Sequence, residues 1–323
     1  MKNVFEMQDF TVTLEGGYGE RLRVVSDVSL SIAEGKITGL IGESGSGKTV
    51  LWQTALGLRD PKHWSCAGGV WLAGRALDPG KPEAILRQRG ESVSVILQDP
   101  MSAFDDLFTI EQHFWETARA HTNWSREETG YRAHALLERL YINDPAAVLA
   151  SYPFQCSGGM LQRVMIAIAL MFSSPLIIAD EPTTSVDITV SREILAMLRE
   201  LNKVNGTSIL FISHDLKAVE HLADEICVMY GGYIVEQFPR GELSNGGAKH
   251  PYTRKLIAAR PVFSKERLDV LRGNPPRLEE RQSGCPFYSR CDFAEPACAA
   301  FDMRETLVSP AHSIRCRRSE EIN

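Results

Sequence analysis

A glycine-rich segment, GLIGESGSGKT, contains residue types at a spacing that suits phosphate chemistry. Its pattern is G-x-x-x-x-G-K-T, in which glycines let consecutive backbone N–H groups curl around a polyphosphate. The lysine places a charge at the β and γ phosphates, and the threonine hydroxyl can ligate Mg²⁺. An apolar strand precedes the loop and a helical pattern follows it, so the sequence predicts a nucleoside triphosphate site. The predicted site comprises Gly42, Glu43, Ser44, Gly45, Ser46, Gly47, Lys48 and Thr49.

An apolar run further along, LIIADE, ends in Asp180 and Glu181. Such a run is typical of a buried strand, which would deliver both carboxylates to the sheet edge where ligands bind in α/β folds. There Asp180 could hold Mg²⁺ through water, and Glu181 could orient and deprotonate an attacking water. Acidic pairs after strands are common, and the upstream phosphate loop favours the catalytic interpretation.

A second glycine pair occurs in YPFQCSGGMLQR, directly before an apolar helical pattern. Ser157 is predicted to cap a helix that begins near Gly158 and Gly159, and the free N–H groups of a helix start attract anions. The residues alone leave two interpretations open. One is a second phosphate site, and the other is an ordinary helix cap packed inside its own domain.

Composition limits the remaining possibilities. A chain of 323 residues with 44% hydrophobic content can bury a full core as one large domain plus a smaller one, or as two domains. A net charge of −6 argues against a broad nucleic-acid-binding face. The longest apolar run, Val164 to Phe172, is well short of the roughly 20 residues of a membrane span. We therefore expect a cytoplasmic chain whose cysteines are mostly reduced.

The order of patterns predicts the fold. Strand patterns come first, helical patterns extend from about Thr109 to Phe172, and strands and helices then alternate, which indicates a parallel sheet covered on both faces. Gly-rich and Pro-rich segments follow this region. We predict a main domain over residues 1–245, with a helical subdomain at about 101–172, and a C-terminal extension over 246–323.

The phosphate loop, QCSGGMLQR, LIIADEP and ISHD stand in the order and spacing of an ABC transporter ATPase subunit, which the chain resembles over nearly the whole main domain. The resemblance implies an α/β P-loop NTPase fold with a RecA-like parallel sheet core. It also implies an antiparallel β subdomain, an inserted helical subdomain and a small Cys-rich C-terminal extension. The expected ligands are ATP and Mg²⁺.

The same resemblance implies further site residues. Gln98 is similar to the glutamine that senses the metal and the γ-phosphate, and His214 to the histidine that contacts the γ-phosphate. Asp187 is similar to the residue that couples two ATP sites across a dimer, and Thr49, Gln98 and Asp180 form the expected Mg²⁺ set. The segment from Ser157 to Gly159 is expected to hold the γ-phosphate of ATP bound by the other subunit.

Two positions near these motifs are less regular. An aromatic ring is expected to stack on adenine, and Tyr18 lies at a suitable distance upstream of the phosphate loop. Phe10 is the second candidate, although a strand residue of this kind is more typical of a core. Cys156 and Met160 replace the leucine and glutamine that are common around the Ser-Gly-Gly centre.

Four cysteines crowd the C-terminal region: Cys285, Cys291, Cys298 and Cys316. Intervening lengths of five, six and seventeen residues differ from the C-x-x-C pairs typical of zinc sites. With HPYTRKLIAARP, this tail resembles the extension of the oligopeptide, dipeptide and nickel importer ATPases. That branch implies a [4Fe–4S] cluster with a structural role, and zinc or unligated thiols remain alternatives.

The sequence thus predicts an ATPase subunit of a bacterial importer for di- or oligopeptides or a chelated metal such as nickel. The implied partners are a second ABC ATPase, usually a paralogue, two membrane permease subunits and an extracytoplasmic substrate-binding protein, without nucleic acid. The implied location is peripheral, at the cytoplasmic face of the inner membrane. Two alternatives are a soluble ABC ATPase of DNA repair or translation, and an ATP-binding metal or redox sensor.

Overall fold

A computed structural model describes residues 2–16, 20–184, 186–259, 271, 273–281 and 283–319. The chain divides into two compact units, each assembled from separate segments. The first unit consists of Met1–Val4, Ile32–Lys36 and Leu86–Phe211. The second unit consists of Phe5–Ser31, Ile37–Ile85 and Ile212–Asn323.

The described residues contain β-strands of three to thirteen residues. In chain order they are β1 (Asn3–Glu15), β2 (Arg21–Ala33), β3 (Ile37–Ile41), β4 (Trp64–Leu72), β5 (Arg75–Leu77), β6 (Val93–Ile96), β7 (Leu176–Asp180), β8 (Ser208–Ser213), β9 (Glu225–Tyr230), β10 (Tyr233–Pro239), β11 (Thr306–Ser309) and β12 (His312–Ile314).

The α-helices cluster in the middle of the chain and then alternate with strands. They are α1 (Lys48–Ala55), α2 (Pro82–Ile85), α3 (Ile110–His121), α4 (Arg126–Arg139), α5 (Pro145–Ala150), α6 (Gly158–Leu170), α7 (Ile188–Asn205), α8 (Leu216–Leu222), α9 (Arg240–Ser244) and α10 (Pro251–Ala258). Within the described ranges, no helix is both long and apolar enough to cross a membrane.

Two sets of strands organise the second unit. An antiparallel sheet has the order β2-β1-β4-β5, as the alternating patterns at the start of the chain predict. In the other set, β3 pairs in parallel with β9, and β9 pairs antiparallel with β10. The C-terminal strand β12 pairs antiparallel with β10, and β11 pairs with β12. The tail therefore extends a sheet of this unit.

The first unit combines a parallel strand pair with the predicted helical region. β6 pairs in parallel with β7, and every residue of β7 is buried, as its continuous apolar sequence requires. Helix α4 packs against α3, α5 and α6. Ser125 caps the start of α4, because its hydroxyl accepts a hydrogen bond from the N–H of Glu128. The predicted α/β class with alternating strands and helices is confirmed, whereas the boundary at residue 245 stays a prediction.

Candidate functional site

The phosphate loop connects β3 to α1 in the second unit. Gly47 directly precedes α1 with a φ of 109°, a left-handed conformation that favours glycine. The Lys48 ammonium is buried and donates to the carbonyls of Gly42 and Glu43 at 2.8 and 3.0 Å. A side chain at Gly42 would clash with the carbonyl oxygen of Met229, so the backbone must approach closely there. The conformation of the loop therefore depends on contacts that involve its own backbone.

Contacts from distant segments of the same unit hold this loop. The N–H of Gly232 donates to the carbonyl of Ser46 at 3.0 Å, and the N–H of Glu43 donates to the Tyr252 hydroxyl at 2.9 Å. The Arg290 guanidinium donates to both carboxylate oxygens of Glu43 at 2.6 and 3.1 Å. Sequence reasoning missed Tyr252 and Arg290, since 247 residues separate Arg290 from Glu43 and no motif joins them.

In the first unit, Asp180 and Glu181 stand where the sequence predicts them. Asp180 closes β7 and is only 2% exposed. Glu181 follows with a φ of 49°, an uncommon conformation for a residue with a side chain. The Thr184 hydroxyl donates to the Glu181 carboxylate at 2.8 Å, and the Gln98 amide donates to the same oxygen at 3.5 Å. The structure thus brings Gln98 and Glu181 together.

His214 and Phe10 belong to the second unit. His214 is exposed and follows β8 directly, as its motif predicts. The next residue, Asp215, caps α8 by accepting from the N–H of Lys217 at 2.8 Å. Phe10 is fully buried in β1, which agrees with a core role. The predicted adenine-stacking residue Tyr18 lies outside the described residues.

The Ser-Gly-Gly segment begins α6 in the first unit. The Ser157 hydroxyl accepts from the N–H of Met160 at 3.3 Å, which confirms the predicted helix cap. A Cβ atom added at Gly158 or Gly159 would meet nothing within 4 Å. Packing among the described residues therefore does not require glycine at either position.

Asp187 contributes to the same surface. It caps α7 by accepting from the N–H groups of Thr189 and Val190 at 2.8 and 3.0 Å. Its exposed side chain and the segment from Ser157 to Gly159 line one open depression of the first unit. The structure thus brings together the two predicted contributors to a shared ATP site.

The four tail cysteines also come together. Cys285, Cys291, Cys298 and Cys316 all line one small pocket of the second unit, and none forms a disulfide. The N–H of Cys285 donates to the carbonyl of Cys298 at 3.0 Å. Burial raises the pKa of Cys285 to about 12 and that of Cys316 to about 11. Within the described part of the chain, no three His, Cys, Asp or Glu side chains are close enough to hold a metal ion.

A phosphate loop between strand and helix, a buried strand ending in two acids and a capped Ser-Gly-Gly helix define an ATP-binding cassette. The family model described as ABC transporter matches residues 25–184, and the one described as oligopeptide/dipeptide transporter, C-terminal region, matches 235–298. The chain belongs to the ABC transporter family, among its ATP-binding subunits.

Individual relatives and solved structures support this assignment. The dipeptide transport ATP-binding protein of Escherichia coli is 35% identical, over 91% of this chain and 90% of its own length. A protein of Brucella melitensis, provisionally named a peptide import ATP-binding protein, is 36% identical over 92% of each chain. The solved ATP-binding subunit of an ABC transporter aligns with a TM-score of 0.61 and 27% identity, covering 76% of this chain and 93% of the other.

Proposed function

We propose that this chain binds and hydrolyses ATP to power the uptake of dipeptides or oligopeptides through a bacterial importer. The observation that carries this proposal is the similarity to a dipeptide transport ATP-binding protein, which extends across both matched regions. The names of these relatives favour peptides over a nickel complex as the cargo, and they favour an importer over DNA repair or translation. Glu181 and His214 favour a working ATPase over a sensor that only binds ATP.

The proposed mechanism assigns separate roles to the phosphate loop, the Mg²⁺ ligands and the catalytic residues. The loop from Gly42 to Thr49 cradles the phosphates, and Lys48 places its charge against them. The oxygens of Thr49, Gln98 and Asp180 are of the kind that Mg²⁺ prefers, and the ion would neutralise phosphate charge. Glu181 takes the proton of the attacking water, while His214 contacts the γ-phosphate.

The Ser-Gly-Gly helix start serves the ATP held by a second ATPase subunit. The N–H groups at the start of α6 would contact its γ-phosphate, because free N–H groups at a helix start attract anions. The space at Gly158 and Gly159 supports this close approach. Asp187 would couple the two sites. ATP then joins the two chains, and hydrolysis separates them.

The remaining partners follow from the proposed importer. Leu107 is 82% exposed, and Met101 and Phe108 on the same segment are also exposed. Exposed apolar side chains concentrated in one segment are typical of a protein interface. We propose that this segment contacts the membrane permease, which consists of two subunits. An extracytoplasmic binding protein would deliver the cargo. The chain would then be a peripheral subunit at the cytoplasmic face of the inner membrane.

Reconstitution of the purified complex into liposomes tests this function. We expect dipeptide delivered by the binding protein to stimulate ATP hydrolysis and to accumulate inside the vesicles only when ATP is present. Chelated nickel serves as the control cargo. Accumulation of nickel but not of peptide would refute the proposed substrate class, and an inactive complex with intact subunits would refute the ATPase.

We also propose that the four tail cysteines hold a [4Fe–4S] cluster. Thiolates are the usual ligands of such clusters, and all four thiols line one pocket. Zinc, which four thiolates can also bind, is the alternative. Anaerobic purification should yield about four iron and four sulfide per chain, and zinc alone would overturn the assignment.

A further inference from the structure

Arg290 joins the cysteine segment to the phosphate loop within the second unit. It lies between Cys285 and Cys291 in the sequence, and its guanidinium forms two hydrogen bonds to the Glu43 carboxylate at 2.6 and 3.1 Å. Paired bonds of this kind fix both groups in orientation as well as in distance. The Arg290 side chain is only 3% exposed, whereas that of Glu43 is 26% exposed, so water reaches the ion pair mainly from the Glu43 side.

The surroundings of Arg290 hold its guanidinium in place. Its Nη1 atom also donates to the Tyr230 hydroxyl at 3.1 Å, and its backbone carbonyl accepts from the Lys255 ammonium at 3.1 Å. The Tyr230 ring packs against Tyr252 and Phe287, with centroids 4.5 and 5.2 Å away. The arginine therefore lies against an aromatic cluster, with its guanidinium carbon 5.7 Å from the centroid of the Tyr230 ring.

Glu43 is the residue that makes this contact relevant to ATP. Its carboxylate belongs to a loop whose purpose is to bind an anion, and its carbonyl accepts from the Lys48 ammonium at 3.0 Å. An uncompensated carboxylate beside a polyphosphate repels it, most strongly where water is excluded. The Tyr252 hydroxyl fixes the backbone of the same residue.

We infer that Arg290 is a positioning residue for ATP binding, which neutralises Glu43 and thereby makes the C-terminal segment part of the phosphate site. The inference rests on the proposed ATP-binding function. It assigns no contact between Arg290 and the nucleotide. The affinity for ATP should therefore depend on whether the cysteine segment is structurally ordered.

Titration of the purified full chain with a fluorescent ATP analogue and Mg²⁺ tests the inference. We expect R290Q to weaken binding about tenfold, because it leaves the Glu43 carboxylate uncompensated. The double variant E43Q/R290Q should recover to within about threefold of the unsubstituted chain, because it removes that charge. R304Q is the matched control, since Arg304 lies in the same tail and its ion-pair partner is the exposed Asp302.

The recovery separates charge compensation from a merely structural role. If R290Q binds the analogue as tightly as the unsubstituted chain, or if E43Q/R290Q binds as weakly as R290Q, the inference is wrong while the proposed function stands. Should R290Q fail to fold, R290K carries the test. It keeps the charge without the paired bonds, so about threefold weaker binding is expected and unchanged binding would overturn the inference. A chain that binds no ATP at all would overturn both.

Discussion

Glu181 combines an uncommon backbone conformation with a fixed carboxylate. A φ of 49° costs free energy for any residue with a Cβ atom, and such costs persist where the surrounding structure enforces them. Thr184 and Gln98 both donate to the same carboxylate oxygen. These contacts hold the carboxylate in one position, as the proposed general base requires.

The variant E181Q tests this role. Glutamine keeps the shape and can still accept from Thr184, but it cannot take a proton. We expect ATP binding to stay unchanged and ATP turnover by the assembled importer to fall by about 10² to 10⁴. E200Q is the control, because Glu200 is exposed on α7. Turnover by E181Q within a few-fold of the unsubstituted importer would show that another group acts as the base.

At this scale, the sequence predicts which residues matter better than it predicts their partners. Lys48, Glu181 and Ser157 follow from local motifs, because their chemistry requires fixed spacing along the chain. The pairing of Glu43 with Arg290 could not be predicted in this way. It depends on a fold that brings together residues 247 positions apart, and neither residue is unusual by itself.

Among the elements, helices α6 and α4 both begin with a serine N-cap. Ser157 caps α6 at 3.3 Å and Ser125 caps α4 at 3.0 Å, and both serines are exposed. Loss of either cap should cost about 1 kcal/mol of stability. Of these two helix starts, that of α6 has two glycines that packing among the described residues does not require. Equivalent substitutions at Ser157 and Ser125 therefore distinguish an effect on helix capping from an effect on phosphate contact.

We expect S157R to leave ATP binding to the isolated chain intact but to block ATP-driven closure against the second ATPase. The bulky side chain would occupy the space where a phosphate must approach the helix. S125R should lower the melting temperature to a similar extent and leave closure intact. Crosslinking of the two ATPase subunits with and without ATP measures closure. Equal behaviour of the two variants would show that α6 has only an ordinary cap.

A buried histidine connects β12 to two other elements of the second unit. His312 Nε2 lies 2.9 Å from Glu236 on β10, and Nδ1 lies 2.6 Å from Glu242 on α9. A neutral imidazole has only one N–H, so these two contacts favour the doubly protonated ring. The hydrogen bond to Glu236 accordingly raises the pKa of His312, against the opposing effect of burial.

This contact should make stability depend on pH. Because the folded pKa of His312 lies above its value of about 6.5 in the unfolded chain, its contribution is full below that pH and is lost as the pH rises through the folded pKa. The difference in melting temperature between the unsubstituted chain and H312Q should therefore shrink from about pH 6 to about pH 9. H63Q controls for loss of an exposed histidine. A difference that grows with pH would contradict the assignment.

On the scale of the whole molecule, the sequence predicts the order of elements but not how the chain divides. Each compact unit is assembled from segments far apart in the chain, which no local pattern reveals. The C-terminal tail has few apolar residues with which to form a core of its own. The structure supplies the reason it can still be ordered, since Phe287 packs against Tyr230 and Tyr252 and β12 joins β10.

Replacement of two tail cysteines, C291S/C298S, should loosen the extension. The contact between Arg290 and Glu43 joins this extension to the phosphate loop. We predict that C291S/C298S weakens ATP binding by about the same factor as R290Q. Adding R290Q to C291S/C298S should cause no further loss of affinity, because both changes act through one contact. C66S is the control, since Cys66 lies on β4. Additive losses would show an independent effect of the cysteines.

The pairing of β12 with β10 also has a consequence for biosynthesis. Residues 240–311 lie between these strands, so the ribosome must synthesise nearly the whole chain before β10 gains this neighbour. Until then its edge presents unpaired N–H and C=O groups, which can recruit other nascent chains. A gene shortened before His312 would therefore encode an aggregation-prone product, although every residue of its phosphate loop is intact.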